Sequence, residues 1–559
     1  MTLKSLVEND FRRAVILVGG AAETPIHFEI PRQQGHGHLS STIAMSLAKD
    51  LRKAPRMIAQ EIIDALGTIP MVESVQVAGA GFLNITFTPE AFHTILTDLA
   101  LSKGEIGQNS MGRGRTVNVE YVSANPTGPL HAGHGRNCAL GDTIANILQW
   151  SGYTVTREYY FNNAGNQMNK LGESIAARLC EQFGKPEVLP FPEDGYHGEY
   201  IVTIAKELAD SKGNELNSMI DSGNMTDLKA VARKAGEEWC FQAIKKTLQT
   251  LNINHDVYFN EDSLYSSGRV EQTIQQLRNR NLAYDKDGAV WFALSALPDD
   301  GRKTERQDKV IVKSSGEPTY RLPDIAYHVQ KLERGFDILV DIFGADHIAT
   351  IPDVLAGVQA LGFDAGRVRV VIHQMVTFME DGEVVKFSKR SGKSFTLDDL
   401  IDEVGADVVR FFFVMRAPGT HLDFDLDLAK EEGEKNPVFY LQYAHARICS
   451  ILRKAPGGAA PAITGVSLKG LTHAREIELI TLLSRFQEVV ERAAESLEPH
   501  IVAEYLRDLA ATYHQFYHDC RILGSGDDTE PARLILADVT RRALKNGLTI
   551  LGVTAPESM

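Results

Sequence analysis

Near the start of the chain apolar residues recur at every fourth position, first Ile43, Leu47 and Leu51, then Ile58, Ile62 and Leu66. That spacing keeps one face of an α-helix apolar. Pro55 falls between the two sets. Proline fits only the first turn of a helix, so the pattern predicts two helices across residues 42–66, the second starting near Pro55. Ser74–Val77 and Phe82–Phe87 read as short strands, which makes residues 1 to about 110 an α+β unit of their own. Leu101–Arg115, with Gly104, Gly107, Gly112 and Gly114, reads as a linker. The style then changes. Val117–Val122 is strand-like, Ser123–Pro129 is turn-rich, His134–Trp150 has helical spacing through Leu140, Ile144, Ile147 and Leu148, and Tyr153–Tyr160 is strand-like again. Strand, loop, helix and strand open a parallel nucleotide-binding sheet. Ile338–Phe343 and Val368–Met375 supply later strands, and the stretch from about 170 to 290, largely helical and acidic, reads as an insertion. The last 150 or so residues turn helical with no strand signal. Leu479, Leu482, Leu483, Phe486, Val489, Val490, Ala493 and Leu497 form one stripe, and Ile501, Val502, Tyr505, Leu509, Tyr513, Phe516 and Tyr517 a second after Pro499. Such stripes face a core. Residues 455–469 read as a surface loop, and no internal repeat is visible.

The expected fold is α/β: a Rossmann-like parallel-sheet domain with an insertion, an N-terminal α+β domain before it and a C-terminal all-α helical bundle after it. The boundaries expected are 1–112, 113–420 and 421–559. Composition agrees with a globular chain: 43% hydrophobic and 23% charged residues rule out a disordered or collagen-like one. Five scattered cysteines without a C-x-x-C pair give no zinc ribbon or redox motif and suit a reducing compartment. The net charge of −15 argues against a uniformly basic nucleic-acid coat, but leaves room for a local basic track. No apolar run reaches the roughly 18 residues of a membrane span. Ala14–Ala22 imitates a signal sequence, but Glu8 and Asp10 spoil its flank.

Three segments carry chemistry. ANPTGPLHAGHGRN, at 124–137, follows a strand and opens a helix. Helix N-termini favour anions, and glycines let backbone approach a ligand. His131 and His134, three apart, can address one phosphate cluster; a metal pair or two unrelated surface histidines are the competing readings. VKFSKRSGK, at 385–393, holds Lys386, Lys389, Arg390 and Lys393 with no acid among them. Such a mobile cationic loop suits a leaving pyrophosphate, although a plain solvated loop has the same composition. It is not a P-loop, because the glycine required at 387 is Phe387. DIFGADH, at 341–347, ends a strand with Gly344, Asp346 and His347, where open parallel sheets bind ligands.

An HxGH turn after the first strand, a GxDH strand end and a KxSKR loop about 250 residues further on resemble a class I aminoacyl-tRNA synthetase. VEYVSANPTGPLHAGHGRN, TYRLPDIAYH at 319–328, NPVFYLQYAHARI at 436–448, FYHDCRIL at 516–523 and the closing LGVTAPESM are similar to the signatures of arginyl-tRNA synthetases, in order, from near residue 30 to Met559. The resemblance implies that His131, His134, Lys386 and Lys389 are catalytic, Lys389 being the dominant lysine. It implies ATP contacts from Pro126, Thr127, Gly128, Gly133, Gly344, Asp346, His347 and Ser388. It assigns arginine to Ser123, Asn125, Tyr320, Asp324 and Gln374. A guanidinium is planar and permanently charged, and it calls for a fixed carboxylate beside an aromatic face. Tyr320 and Asp324 are four apart, so one helical turn presents both, although a helix-surface pair or a cap has the same spacing.

Three positions depart from the family pattern: Phe387 replaces a methionine, Asn163 stands where many relatives carry aspartate, and Gly35-His36-Gly37-His38 replaces a commoner Gly-Asp. His36 and His38 read as loop residues, because no further ligands follow at zinc spacing.

The function implied is ATP-dependent attachment of L-arginine to tRNA(Arg) through arginyl-adenylate, with attack by the terminal 2′-OH. Mg2+ comes with ATP as a substrate complex, and no prosthetic group or protein metal site is implied. The resemblance further implies that adenylation needs bound tRNA, that the helical domain holds the anticodon and the N-terminal domain the outer corner of the tRNA, and that the enzyme is a cytoplasmic monomer. No editing site is expected, since the cationic side chain discriminates well enough. A small nucleotidylyltransferase is a rival that leaves the helical third unexplained; a silent tRNA-binding relative is opposed by the intact histidines and lysines. Arg447, Arg453, Lys454, Arg541, Arg542 and Lys545 join the cationic loop as a candidate tRNA track. Phe439, Tyr440, Tyr443, Tyr513 and Tyr517 read as core before base-stacking residues.

Overall fold

The structure, a computed structural model, describes residues 1–31, 35–102, 105–161, 163, 165–298, 306–385, 395–526 and 529–559. Five parallel strands lie in the order Val368–His373, Ile338–Gly344, Thr116–Glu120, Thr154–Phe161 and Val257–Asn260. The central strand comes first in sequence and its neighbours run off to either side, which creates a switch point at the carboxyl ends. Val117, Val119 and Tyr121 are buried, and the helix His134–Trp150 crosses from this strand to the next. Gly141 lets that helix close on the sheet, for a Cβ there would run into the Tyr121 ring.

The N-terminal unit packs four helices on a four-stranded antiparallel sheet in the order 28–29, 39–41, 82–87 and 72–78. Its helices Ile43–Leu51 and Pro55–Leu66 are divided as the sequence predicts: Arg52 takes a left-handed cap and Pro55 opens the second. The apolar run at 14–22 starts in the last turn of a helix, Leu3–Leu17, which is capped by Thr2 and Ser5. Leu3, Val7, Phe11, Ala14 and Val15 face the core, while Ile16 and Leu17 stay exposed.

Two expectations need correction. The stretch at 170–290 is not one insertion. The helices Asn166–Gln182, Glu199–Asp221 and Met225–Thr250 share a core of their own, but the chain then returns to the parallel sheet as its edge strand Val257–Asn260. It leaves again for a small antiparallel sheet, Ala283–Lys286, Ala289–Phe292 and Lys309–Val312. A four-residue edge strand such as VYFN shows no alternation to mark it. The second correction concerns the helical third, where Leu422–Asp425 is a strand that pairs parallel with Val376–Glu380. Its signal was present in HLDFDLD: Leu422, Phe424 and Leu426 are buried, and Asp423, Asp425 and Asp427 are exposed.

Helices Pro437–Lys454, Ala474–Ser484, Phe486–Ser496, His500–Asp519 and Glu530–Leu551 form the bundle. The first stripe is broken at Arg485 into two helices, and Leu479, Leu483, Phe486, Val490 and Ala493 are fully buried. Arg542 turns inward from the candidate tRNA track. Its guanidinium donates to the Leu99 and Ala100 carbonyls and to Ser102 Oγ, and so staples the bundle to the N-terminal unit. Arg541 pairs with Asp538 at 2.7 Å, while Lys454 and Lys545 stay exposed. Arg447 lies 4.4 Å over the Tyr517 ring, Tyr513 is buried and Tyr443 is exposed. Among the described residues no helix is long and apolar enough to cross a membrane.

Candidate active site

The HxGH turn sits at the switch point. The His131 and His134 rings stack with centroids 3.7 Å apart. The His131 amide donates to His134 Nδ1 at 3.2 Å, and the Gly133 amide to His131 Nδ1 at 3.1 Å. Burial lowers the pKa of both imidazoles; for His134, with His131 and His373 adding to the effect, it falls to about 3. Both rings are therefore neutral near pH 7. Because each Nδ1 accepts, each Nε2 carries the proton, so the turn offers two uncharged N–H donors. Pro126 is buried, and Tyr200 of the inserted helices donates to the Thr127 carbonyl at 2.6 Å and lies against Gly128.

The turn is laced to a distant segment. The Leu397 amide donates to the Leu130 carbonyl at 2.7 Å, the Ala132 amide to the Phe395 carbonyl at 3.1 Å, and His131 bridges Thr396. Lys386, Phe387, Ser388, Lys389, Arg390 and Lys393 lie outside the described residues. The flanks of that segment are placed: Phe395 at the HxGH turn, and Val385, whose amide donates to the Phe378 carbonyl at 2.9 Å.

Between strand and turn the backbone is strained. Val122 (φ 69°) and Ser123 (φ 42°) are both left-handed, which is costly for a β-branched residue. Asn137 holds this bend. Its Oδ1 accepts from the Val122 amide at 2.6 Å, and its Nδ2 donates to the Ile342 carbonyl at 2.9 Å and contacts His373 Nε2 at 3.3 Å. Ser123 Oγ donates to Glu120 at 3.1 Å and accepts from the Tyr160 amide at 3.0 Å, and exposed Asn125 donates to Gln167 at 2.6 Å. Arg136 is fully buried and donates to the carbonyls of Gln374 (2.8 Å), Ala417 (3.1 Å) and Thr420 (2.8 Å), which brings Gln374 to the same edge.

The helix Arg321–Glu333 has Tyr320 at its N-cap and Asp324 in its first turn. Tyr320 is 77% exposed. Burial raises the pKa of Asp324; His328 and Lys331 pull it back only partly, Glu120 and Glu261 push it up, and the result is about 7. Glu261 follows the edge strand and is buried, with its own pKa raised by burial; it hydrogen-bonds Tyr160. Deeper along the same helix the charges are balanced. Lys331 Nζ donates to Glu120 at 2.7 Å and to Asp341 at 2.5 Å, and His328 Nε2 meets Asp341 at 3.0 Å. Asp324 thus feels two neighbouring carboxylates, Glu120 and Glu261, and among the described residues no cation is hydrogen-bonded to its own carboxyl, a setting that suits a cationic ligand.

Gly344, Asp346 and His347 occupy the end of the neighbouring strand. Asp346 and His347 are exposed, His347 stacks on Phe343 at 5.3 Å, and a Cβ at Gly344 would press on the Asp346 carboxylate. Two departures have structural reasons. Asn163 is buried and donates to Glu237 at 2.8 Å, where an aspartate would set two carboxylates together. His38 Nδ1 accepts the Phe87 amide at 3.0 Å, a loop-fixing bond. Sequence reasoning missed Glu120, Glu261, Tyr160, Arg136 and Asn137. A glutamate inside the strand VNVEYV was the available signal, since charge is rarely placed in a central parallel strand.

Comparison with known proteins adds three family models: the arginyl tRNA synthetase N terminal domain over residues 1–87, the tRNA synthetases class I (R) catalytic domain over 96–410, and the DALR anticodon binding domain over 441–559. The arginine–tRNA ligase of Salinibacter ruber is 46% identical over 577 residues and covers 100% of both chains. That of Desulfotalea psychrophila is 46% identical over 534 residues, covering 95% of this chain and 94% of its own. The solved structure of Thermus thermophilus arginyl-tRNA synthetase shares the fold, with a TM-score of 0.77, 23% identity and 100% of both chains covered.

Proposed function

The chain belongs to the arginyl-tRNA synthetase family, and from that premise we propose how its residues charge tRNA(Arg) with L-arginine. The arginine carboxylate attacks the α-phosphate of ATP, which enters with Mg2+ as its phosphate complex. Pyrophosphate leaves, and the terminal 2′-OH of tRNA then attacks the acyl carbon and releases AMP. No protein nucleophile is needed; the work is positioning and charge stabilisation. Asp324 receives the guanidinium with Glu120, Glu261 and Gln374, and Tyr320 closes over it. Ser123 and Asn125 hold the α-amino and carboxylate end. The Nε2–H groups of His131 and His134 follow charge as it develops on the phosphates, with Pro126, Thr127, Gly128 and Gly133 lining the approach. Gly344, Asp346 and His347 take the adenosine. Lys386, Ser388 and Lys389 meet the pyrophosphate.

One observation carries this reading above the others: a carboxyl with its pKa raised to about 7 by burial and by neighbouring glutamates shares a sheet edge with two neutral imidazoles. The domains proposed are a tRNA-contacting unit at 1–112, the catalytic domain at 113–420 and an anticodon-binding domain at 421–559. We further propose a cytoplasmic monomer, in keeping with five cysteines that are all free and buried.

Arginine-dependent ATP–pyrophosphate exchange, run with and without tRNA, tests the proposal. Exchange that needs both is the expected result; exchange with a different amino acid overturns the specificity. Lys389→Ala should cut adenylate formation far more than tRNA affinity, and equal loss of both would remove its catalytic role.

A further inference from the structure

Arg410 is 1% exposed on the helix Ala406–Val414. A buried guanidinium is costly unless every direction it faces is matched. Here it is matched by three separate parts of the molecule. Nη2 donates to Asp142 at 2.6 Å, Nη1 to the Leu251 carbonyl at 2.7 Å, and Nε to the Leu551 carbonyl at 3.1 Å. Asp142 lies two turns along the helix that His134 opens, Leu251 caps the last inserted helix, and Leu551 ends the last bundle helix. The carbonyls at a helix C-terminus have no partner in their own helix and carry partial negative charge, so a cation caps them well.

A second side chain repeats the arrangement. Asn146, one turn after Asp142 on the same face, donates to the Ile550 carbonyl at 3.1 Å and accepts from Arg157 at 2.7 Å. Asp142 also accepts from the Tyr121 hydroxyl at 3.3 Å, and Tyr121 immediately precedes the left-handed pair Val122–Ser123. Gly552 has φ 70°, and a Cβ there would collide with the Arg410 guanidinium. On the same helix as Arg410, Asp407 accepts from the Thr554 amide at 3.0 Å and from Gln442 at 2.8 Å. An apolar seam would hold these helices together without the desolvation cost. A forked cation that reads two carbonyls and a carboxylate fixes one rotation and one register.

We propose that Arg410, with Asn146, is a positioning residue: it locks the HxGH helix to the end of the last bundle helix, so that the seating of the bundle sets the geometry of His131 and His134. The proposal rests on the catalytic roles given to those histidines. Its test uses the full chain carrying Arg410→Lys and, separately, Asn146→Ala, which removes a partly exposed amide. Two readouts are taken: exchange kinetics at saturating tRNA, and amide hydrogen exchange in peptides spanning 131–146. The expected result is kcat lower by about tenfold, KM for arginine and ATP changed less than about twofold, tRNA affinity unchanged, and faster amide exchange over 134–146. Lysine at 410 keeps the charge on Asp142, so Arg410→Met should lose more than Arg410→Lys. Wild-type kcat in the folded variants, kcat and tRNA affinity falling together, or faster amide exchange confined to 530–551 would each overturn the proposal. A wild-type chain without arginine-dependent exchange would instead defeat the catalytic reading, and the amide data would still decide whether Arg410 holds the helix.

Discussion

Asp341 and Asp324 feel the same two cations, Lys331 and His328, and are driven in opposite directions. Burial alone would raise the pKa of Asp341, yet Lys331 and His328, both hydrogen-bonded to it, bring it below the usual carboxylate range. Asp324 has no such bond to its carboxyl among the described residues, and burial with Glu120 and Glu261 takes it up to about 7. One cluster carries its own counter-charge and belongs to the architecture. The other leaves a charge open, as a site does when its partner arrives with the substrate.

Removing the shared cation should break the first cluster hardest. Lys331→Met leaves Asp341 with His328 and Glu120 with the Ser123 hydroxyl, but both without their lysine, and should cost about 3–5 kcal/mol in denaturant unfolding at pH 8. That deficit should shrink toward pH 4–5 as the freed carboxyls bind protons, and a constant deficit would mean that packing, not charge, was lost. Asp324→Asn should act the other way round. It should raise KM for arginine about 100-fold, from the loss of roughly 3 kcal/mol of charge-assisted bonding, while leaving the ligand-free protein at least as stable. An unchanged KM would take Asp324 out of the pocket.

The third comparison is by pH. Asp324 binds a guanidinium only when ionised, and its raised pKa in the free protein means protonation competes below about 7. The sign follows: the free protein loses this carboxyl's stabilising protonation as pH rises through 7, and arginine affinity is gained over the same range. KM for arginine should therefore climb as pH falls below 7, by up to about tenfold per unit, and a flat profile from pH 6 to 8 would argue that the carboxyl is already ionised in the free protein. The smallest effect is expected at Tyr320, whose ring stands 77% exposed before substrate arrives. Tyr320→Leu should raise the arginine KM only several-fold, about 1 kcal/mol, because a cation over an exposed ring gains little.

Much of this contrast was legible in sequence, and the reasons it stopped short are specific. The helix pair divided at Pro55, the strand–turn–helix around His131 and the bundle stripes all follow from period and punctuation, which a single chain displays. The turn of Tyr320 and Asp324 was visible as a spacing, but that neighbouring carboxylates outweigh the cations around Asp324 depends on Glu120 and Glu261, which come from two other strand ends. The strand Val257–Asn260 is too short to declare itself, and Leu422–Asp425 hid inside a segment whose remainder is helical. Arg542 illustrates the opposite error: an arginine in a helix reads as surface until the carbonyls it meets are placed beside it.

The neutral state of the two stacked imidazoles has a calorimetric consequence. The His134 imidazole, held to about 3, stays neutral near pH 7 even beside an anion, so a nucleotide settling against its Nε2–H should draw no proton from the buffer there. A guanidinium settling against Asp324 should expel one from every molecule still protonated there. Heats measured in buffers of different ionisation enthalpy would then diverge for the amino acid and coincide for the nucleotide, so that the two halves of one cleft register as separate thermodynamic events.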